Sequence, residues 1–166
     1  MNAICLMVAG VVRAVLPADE FTLSWQHSVE KTRWEEVYRI DGDRLLLTGA
    51  RIQGFGAGME PPAGAVLRNG WWTWTPAPLR LAALPLTQSS YTADWTLCWK
   101  DRCRALAALA PPATEGSVVD LVACDPANAT SLKRGQAAAC SAGSRRERLC
   151  RALTCSGKAP SLRSRK

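Results

Sequence analysis

Between residues 21 and 52, hydrophobic and polar positions alternate, which is the pattern of half-buried β-strands. In the first run, one face carries Phe21, Leu23, Trp25, His27 and Val29. In the second run, one face carries Trp34, Glu36, Tyr38 and Ile40. The Asp41-Gly42 pair then predicts a tight hairpin into a third strand at 44–52. Three antiparallel strands are therefore expected in this part of the chain.

Further short strands are predicted beyond residue 60. The Asn69-Gly70 pair is a strong signal for a type I′ hairpin, here joining a strand at 66–68 to one at 71–75. Strands are also expected at 91–99, 102–106 and 118–123. No segment has a convincing helical period, and short strands between frequent turns are typical of antiparallel sandwiches and barrels. We therefore predict an all-β fold, a small antiparallel β-sandwich or barrel, over residues 20–125.

An apolar run from Ala3 to Val12 precedes the predicted sheet. The run is too short to span a bilayer, which needs about 20 residues, but it resembles the apolar region of a secretory signal. Small residues near Ala14 and Ala18 would allow cleavage, whereas the positive charge that normally precedes such a region is missing. Residues 1–18 are therefore predicted to be a signal-like segment of an exported protein, with a buried first strand as the alternative.

Charge is unevenly distributed, and this limits the classes of partner. Residues 1–125 hold 11 lysines and arginines against 13 aspartates and glutamates, whereas residues 126–166 hold 10 against Glu147 alone. The folded part is therefore mildly acidic, although the whole chain has a net charge of +7. It lacks the basic stripe with interleaved aromatic residues that is typical of single-strand nucleic-acid binding. No nucleic-acid partner is predicted.

Residues 126–166 consist largely of Ala, Ser, Arg, Gly and Cys, with no aromatic residue, valine or isoleucine. A segment of this composition cannot build a hydrophobic core, so we predict a disordered basic tail. The alternative is a basic arm attracted to anionic lipid or nucleic acid. Membrane contact is expected only through this tail or the N-terminal segment.

Cys98 and Cys103 are predicted to form a disulfide across a hairpin. If Lys100-Asp101 is a two-residue turn, Trp99 and Arg102 flank it as the hydrogen-bonded pair. The two cysteines then lie opposite each other at the next pair, with Cα atoms about 4.5–5.5 Å apart. That separation is within the range that a disulfide requires.

A zinc site is the alternative for these cysteines, because the C-x4-C spacing recurs at Cys150 and Cys155. The two pairs are separated by 46 residues, and the second pair lies in the basic tail. We therefore favour the disulfide and predict no metal.

Candidate chemistry is concentrated in HSVEKTRWEE, residues 27–36, which holds the only histidine. A hydrolase would use His27 as the base for a serine nucleophile. Ser28 cannot pair with it directly, because adjacent side chains on a strand point to opposite faces. Ser89 or Ser90 could approach from another strand, but the chain has no G-x-S-x-G motif. A hydrolase using His27 therefore remains an alternative to a structural role for this histidine.

Five segments occur in the order HSVEKTRWEEVYRI, GFGAGMEPP, RNGWWTWTP, SYTADWTLCW and CWKDRC. Together they resemble an uncharacterised bacterial family of small exported proteins, labelled as domain of unknown function eighteen-fifty and often encoded beside TAXI-type TRAP transporters. The resemblance covers about residues 20–125. It implies a periplasmic or membrane-attached domain connected with solute uptake, whose partner is such a transporter or its solute-binding protein, and it implies no established activity.

The candidate ligand site combines the turn after the first predicted strand with a glycine-rich loop, 54–59. Such a loop exposes backbone N–H groups and lets a ligand approach closely. The predicted ligand-binding residues are His27, Ser28, Glu30, Lys31, Glu36, Gly54, Phe55, Gly56, Gly58 and Met59. No cofactor is predicted for this site.

Two other interpretations of the same features remain open. In the first, the glycines serve only a tight crossover between sheets, since crossovers and binding loops have the same composition. A purely structural interaction domain would instead expose an apolar patch, with tryptophans such as Trp71 or Trp74 unburied. The function that we predict is an exported accessory or ligand-binding β domain of a TAXI-type TRAP uptake system.

Overall fold

The structure, a computed structural model, describes residues 1–26, 31–54 and 60–129. All of them belong to the first of the two units into which the chain divides, Met1–Lys133. The second unit, Arg134–Lys166, lies outside the described residues. The predicted disordered tail therefore falls almost entirely outside them.

The described residues form twelve β-strands and one helical turn. The strands of the first half are β1 (Ala3–Val8), β2 (Val11–Pro17), β3 (Glu20–Gln26), β4 (Arg33–Asp41) and β5 (Arg44–Gln53). The later strands are β6 (Val66–Arg68), β7 (Trp71–Trp74), β8 (Leu79–Leu81), β9 (Leu84–Thr87), β10 (Thr96–Trp99), β11 (Arg102–Ala105) and β12 (Val118–Cys124). The helical turn, α1 (Leu106–Leu109), lies between β11 and β12.

The strands form two antiparallel sheets that pack face to face. The smaller sheet has the order β2-β1-β12-β9, and the larger has the order β11-β10-β3-β4-β5-β7-β6, with β8 also paired to β5. The main core is shared by both sheets. The prediction of an all-β antiparallel fold is confirmed, and the arrangement is a sandwich.

Fully buried side chains from the two sheets build this core. The smaller sheet supplies Ile4, Leu6, Val119 and Leu121. The larger sheet supplies Phe21, Leu23, Leu45 and Leu97. Removing such a side chain from water stabilises the fold by about 1.5–3 kcal/mol, so this core is the main source of stability.

Within the described residues, the predicted alternation along β3 and β4 is confirmed, whereas His27 and Val29 of the first run lie outside them. Phe21 lies opposite Tyr38 on the core side, and their rings stack with centroids 5.3 Å apart. The predicted hairpin between β4 and β5 forms as well, with Asp41 opposite Arg44 and Gly42 at a φ of +63° in the turn. A positive φ costs glycine little, which explains its place there.

The apolar N-terminal run is strand β1, and every residue of it is buried. Ile4 and Leu6 belong to the main core, whereas Cys5 belongs to a smaller cluster. A disulfide joins Cys5 to Cys124 of β12, with the two Cα atoms 5.9 Å apart. Residues 3–8 thus take the form that the alternative of a buried first strand describes, and cleavage of residues 1–18 as a signal stays a prediction.

The folded part also extends beyond the predicted boundary at residue 125. The Asp125 carboxylate accepts the Ala127 N–H at 3.0 Å, and its carbonyl accepts the Asn128 N–H at 3.0 Å. Ala129 is 4% exposed and belongs to the same small cluster as Cys5. This turn therefore closes the described fold.

The hairpin of β10 and β11 has the predicted register. Trp99 lies opposite Arg102, and Cys98 lies opposite Cys103. A disulfide joins the two cysteines, with Cα atoms 4.0 Å apart, slightly closer than expected. The predicted disulfide is therefore present, and the second cysteine pair, Cys150 and Cys155, lies outside the described residues.

The predicted strand at 91–99 begins only at Thr96, and Tyr91 is 89% exposed. The Asp94 carboxylate explains the late start, because it accepts the N–H groups of Trp95 at 2.9 Å and Ala107 at 2.8 Å. These bonds hold residues 94 and 95 outside the strand. They also tie this segment to α1, which the sequence pattern did not predict.

Candidate functional site

Three of the predicted ligand-binding residues, Lys31, Glu36 and Gly54, belong to the part of the chain that the structure describes. Outside the described residues lie His27, Ser28, Glu30, Phe55, Gly56, Gly58 and Met59. The hydrolase hypothesis depends on His27 and is therefore not tested. The described flanks of both segments still locate the candidate site.

The two predicted segments leave the larger sheet at the same end. β3 ends at Gln26 and β5 at Gln53, and these strands run in the same direction on either side of β4. Gln26 Nε2 donates to the Lys31 carbonyl oxygen at 3.0 Å. A Cβ added to Gly54, whose φ is +80°, would lie 3.5 Å from Thr32 Cγ2. The turn that carries Lys31 and the start of the glycine-rich loop are therefore neighbours.

Glu36 lies on the core side of β4, beside two aromatic residues of the same strand. Trp34 Nε1 donates to Glu36 Oε1 at 3.3 Å, and the Tyr38 hydroxyl donates to Glu36 Oε2 at 2.6 Å. Burial raises the pKa of the Tyr38 phenol, and its bond to the Glu36 carboxylate raises this pKa further. Both oxygens of Glu36 are thus held by side chains of its own strand.

A row of half-buried tryptophans continues this side of the sheet. The centroid of the Trp25 ring is 5.5 Å from that of Trp34 and 5.1 Å from that of Trp95. Trp34 in turn meets Trp74 edge-on at 5.5 Å. Such contacts fix the rings, because aromatic pairs contribute about 0.5–1.5 kcal/mol beyond their buried area. The larger sheet therefore presents a rigid aromatic surface near the candidate loops.

The opposite face of the larger sheet carries a network of charged side chains. Glu35 is buried, and its carboxylate binds Arg51 Nε at 2.6 Å and Arg33 Nε at 3.1 Å. Arg33 Nε also donates to Ser24 Oγ at 3.0 Å. The Arg51 guanidinium lies 4.4 Å from the centroid of the Trp71 ring, a cation–π contact. Both arginines are held in fixed positions at the loop end.

Sequence reasoning missed this network. Arg33 and Glu35 alternate on β4 and so share a face, which is a signal that the sequence does contain. The position of Arg51 depends on the register between β4 and β5, which places it opposite Glu35. That register was not predicted residue by residue.

A cleft of about 300 Å³ borders the network where β10, β3 and β4 approach the turn. It is lined by Ser24, Trp25, Gln26, Arg33, Ala93, Asp94 and Thr96. Through the bond from Gln26 to Lys31, the cleft adjoins the segment in which the sequence predicts the ligand site.

A second cleft, of about 370 Å³, contains the two serines that the hydrolase hypothesis considered. The backbone N–H of Ser90 donates to the Glu115 carboxylate at 3.1 and 3.2 Å. A hydrogen bond from the Ser89 side chain, followed by those from Ser90, lowers the pKa of Glu115. The described contacts of these serines therefore serve to hold a carboxylate.

In the ranges 1–26, 31–54 and 60–129, no group of three or more His, Cys, Asp or Glu side chains is placed to hold a metal ion. None of the helices found in these ranges has the length and apolar character needed to cross a membrane.

Comparison with known protein families gives one match. Residues 21–106, just over half of the chain, match the family described as Domain of unknown function (DUF1850). The chain belongs to this family. No curated protein and no solved structure matches the chain.

The DUF1850 match confirms the resemblance found in the sequence motifs. It extends from Phe21 in β3 to Leu106 at the start of α1, and so includes every strand of the larger sheet. The charged network, the tryptophan row and the cleft all lie within it. Three strands of the smaller sheet, β1, β2 and β12, lie outside the DUF1850 match.

Proposed function

We propose that this DUF1850 protein is a ligand-binding β domain whose site lies at the loop end of the larger sheet. The observation that supports the proposal is the convergence of the two predicted segments. Gln26 bonds to Lys31, and Thr32 adjoins Gly54, so both segments start from the same end of the larger sheet. We call this end of the sheet the platform. Binding sites are commonly loops held by such a scaffold.

The platform has the chemical character of a ligand site. One face offers half-buried tryptophan rings, and the other offers the arginines that Glu35 holds in place. Small-molecule sites typically combine aromatic walls with a few well-placed polar groups. Since ion pairs and ring contacts fix these groups before a ligand arrives, binding would require little reorganisation.

In the cell, we propose that the domain is exported and serves a TAXI-type TRAP uptake system. The family resemblance supports this role. The two disulfides among the described residues support an oxidising compartment such as the periplasm. The partner would be the transporter or its solute-binding protein.

The binding proposal is tested by titrating the purified protein with amino acids, mono- and dicarboxylates, sugars and amines. Tryptophan fluorescence follows binding, because Trp25 and Trp34 lie near the site. We expect at least one class to bind, with His27→Ala and Lys31→Gln each weakening binding at least tenfold. Lys100→Gln is the matched control, because Lys100 is also exposed in a turn, at φ 51° against 54° for Lys31.

Thermal unfolding of each variant separates binding from folding. Lys31→Gln should unfold within about 0.5 kcal/mol of the wild type, because Lys31 is exposed. A binding role for His27 predicts an equally small change for His27→Ala. Wild-type affinity in both variants would refute the candidate site. Failure of every solute class to bind would refute the binding function itself.

The cellular proposal requires a separate test. A tagged protein is recovered from periplasmic extracts of cells with and without the neighbouring transporter genes. We expect a transporter component or its solute-binding protein to be recovered only when those genes are present. Recovery of the tagged chain from the cytoplasmic fraction alone would contradict export.

An interaction domain is the second candidate function, and one observation favours it. The edge strand β6 exposes Val66 and Leu67 by 50% and 53%. The expected exposure of Trp71 and Trp74 is only partial, because both are half-buried. Because both tryptophans are half-buried and β6 is a short strand, the apolar patch at this edge is smaller than an interaction domain would require.

A further inference from the structure

The cleft between β10, β3 and β4 contains one cationic and one anionic side chain. Arg33, Asp94 and Gln26 all line it. Gln26 pairs with Arg33 on β4, and β10, which begins two residues after Asp94, pairs with the other edge of β3. Neighbouring strands are about 4.8 Å apart, so the two charged groups lie on either side of one strand.

Arg33 presents a carboxylate-binding group to the cleft. Its described contacts, to Glu35 and Ser24, are both made by Nε. The side chain is 52% exposed, and these two contacts hold its guanidinium group in place at the cleft. A fixed guanidinium with two terminal N–H₂ groups matches the geometry of a carboxylate.

Asp94 supplies a carboxylate, an ammonium-binding group, at the border between this cleft and the 370 Å³ cleft, since it lines both. Each carboxylate oxygen accepts one backbone N–H, from Trp95 and from Ala107. A carboxylate oxygen has a second lone pair, so both oxygens can still accept a hydrogen bond from an ammonium group. The two backbone bonds fix the orientation of the carboxylate before a ligand binds.

The rest of the lining is mostly polar, and the cleft is small. Ser24 and Thr96 supply hydroxyls, Gln26 supplies an amide, and Trp25 and Ala93 complete the lining. The volume of about 300 Å³ is at the lower end of the range for small-molecule sites. It suits a ligand of few atoms and excludes a folded partner or a long chain.

We propose that this cleft binds a free α-amino acid or a zwitterion of similar size, with its carboxylate on Arg33 and its ammonium group on Asp94. The inference rests on the proposed function and names the class of ligand for it. A ligand with both charges satisfies both groups, whereas a simple anion or amine leaves one of them unpaired. The cleft therefore selects zwitterions.

The first experiment measures the affinity of the wild-type protein for the twenty L-amino acids by isothermal titration calorimetry. The best ligand is then compared with its N-acetyl derivative, which lacks the ammonium group, and its carboxamide, which lacks the carboxylate. We expect each derivative to bind at least tenfold more weakly than the amino acid. Equal binding of either derivative would overturn the assignment of the two charges.

Variants then connect each charge to its residue. Arg33→Gln should remove the preference for the acid over the carboxamide, and Asp94→Asn should remove the preference for the free amine over the N-acetyl form. The matched controls, Arg39→Gln and Asp101→Asn, change exposed residues outside the cleft and should leave affinity unchanged. Retained preferences in the cleft variants would overturn the proposal.

If Arg33→Gln or Asp94→Asn unfolds the protein, a third variant, Gln26→Trp, still tests whether the amino acid binds in the cleft. Gln26 is exposed, so a larger side chain can fill the cleft without entering the core. We expect a folded protein that binds the amino acid at least tenfold more weakly. Wild-type affinity in this variant would place the ligand elsewhere.

The result also separates this inference from the proposed function. Binding of sugars or dicarboxylates without any amino acid would overturn the zwitterion proposal and leave the binding function standing. Absence of binding by every class would overturn both.

Discussion

The Tyr38 hydroxyl is buried on the core side of the larger sheet, where it donates to Glu36 at 2.6 Å. The same carboxylate accepts the Trp34 indole N–H, so one acidic residue satisfies two aromatic donors. Burial and the adjacent carboxylate both raise the pKa of Tyr38 and keep the phenol protonated. The Glu36 carboxylate therefore connects Trp34, in the tryptophan row, to Tyr38, in the core.

Replacing Tyr38 by phenylalanine should destabilise the fold by about 1–2 kcal/mol, because Glu36 loses its shorter hydrogen bond in a half-buried site. Denaturant unfolding measures the change. Tyr91→Phe is the matched control, since Tyr91 is 89% exposed and should unfold like the wild type. Equal stability of both variants would contradict the role assigned to the Tyr38 hydroxyl.

The raised pKa of Tyr38 also predicts how stability depends on pH. An unfolded tyrosine loses its proton near pH 10, whereas the folded one still holds it. The stabilisation of the fold by the protonated Tyr38 is therefore fully present below about pH 10 and declines as pH rises above that value. Unfolding measured from pH 8 to 11 should show a steeper alkaline loss for the wild type than for Tyr38→Phe. Parallel curves would contradict this prediction.

The sequence indicates the face of a residue more readily than its partner. The alternation along β4 places Arg33 and Glu35 on one side and Glu36 on the other. It does not identify Arg51 as the second partner of Glu35, because a register shift between Val37 and Tyr38 alters the pairing of β5. A bulge adds one unpaired residue without a distinct sequence signal.

At the scale of elements, strands bounded by strong turn signals were predictable and the others were not. Asn69 and Gly70 both have positive φ, as the type I′ hairpin requires. β8 and β9 were missed because prolines surround them. Pro85 is tolerated within β9 because this strand forms an edge of the smaller sheet. β1 was ambiguous because a strand buried on both faces is as apolar as a signal segment.

The two disulfides should differ in what they contribute to stability. Cys5 and Cys124 are 119 residues apart, whereas Cys98 and Cys103 are 5 apart. By loop-closure entropy, the long-range bridge should stabilise by about 5 kcal/mol and the hairpin bridge by about 2 kcal/mol. Denaturant unfolding of the Cys5→Ala/Cys124→Ala and Cys98→Ala/Cys103→Ala proteins tests this order. A larger loss from the hairpin pair would contradict it.

At the scale of the whole molecule, the larger sheet carries the candidate site and the smaller sheet completes the core beneath it. The smaller sheet is made mostly from the two ends of the described chain, because β1 lies between β2 and β12. The Cys5 to Cys124 bridge joins these ends covalently. The DUF1850 region therefore depends on segments outside its own match for half of its core.

Deleting residues 1–18 should consequently prevent cooperative folding. The deletion removes β1 and β2, including Ile4 and Leu6, which are fully buried, and leaves Cys124 without its partner. Circular dichroism and calorimetry should detect no sharp thermal transition in the shortened protein. A transition near that of the full chain would show that these residues are dispensable, as a cleaved signal would be.

Deletions from the other end test where the folded part stops. The chain 1–129 should keep the thermal midpoint of the full protein, because the composition of residues 130–166 offers no apolar stripe to the core. The chain 1–125 should unfold at a lower temperature, because it loses Ala129 from the cluster with Cys5 and Met7, together with the turn that Asp125 holds. Differential scanning calorimetry of the three proteins measures both effects.

Two outcomes would contradict these expectations. Equal thermal midpoints for 1–125 and 1–129 would return the boundary of the folded part to residue 125. A large drop in the midpoint of 1–129 would show that the basic segment contributes to the fold.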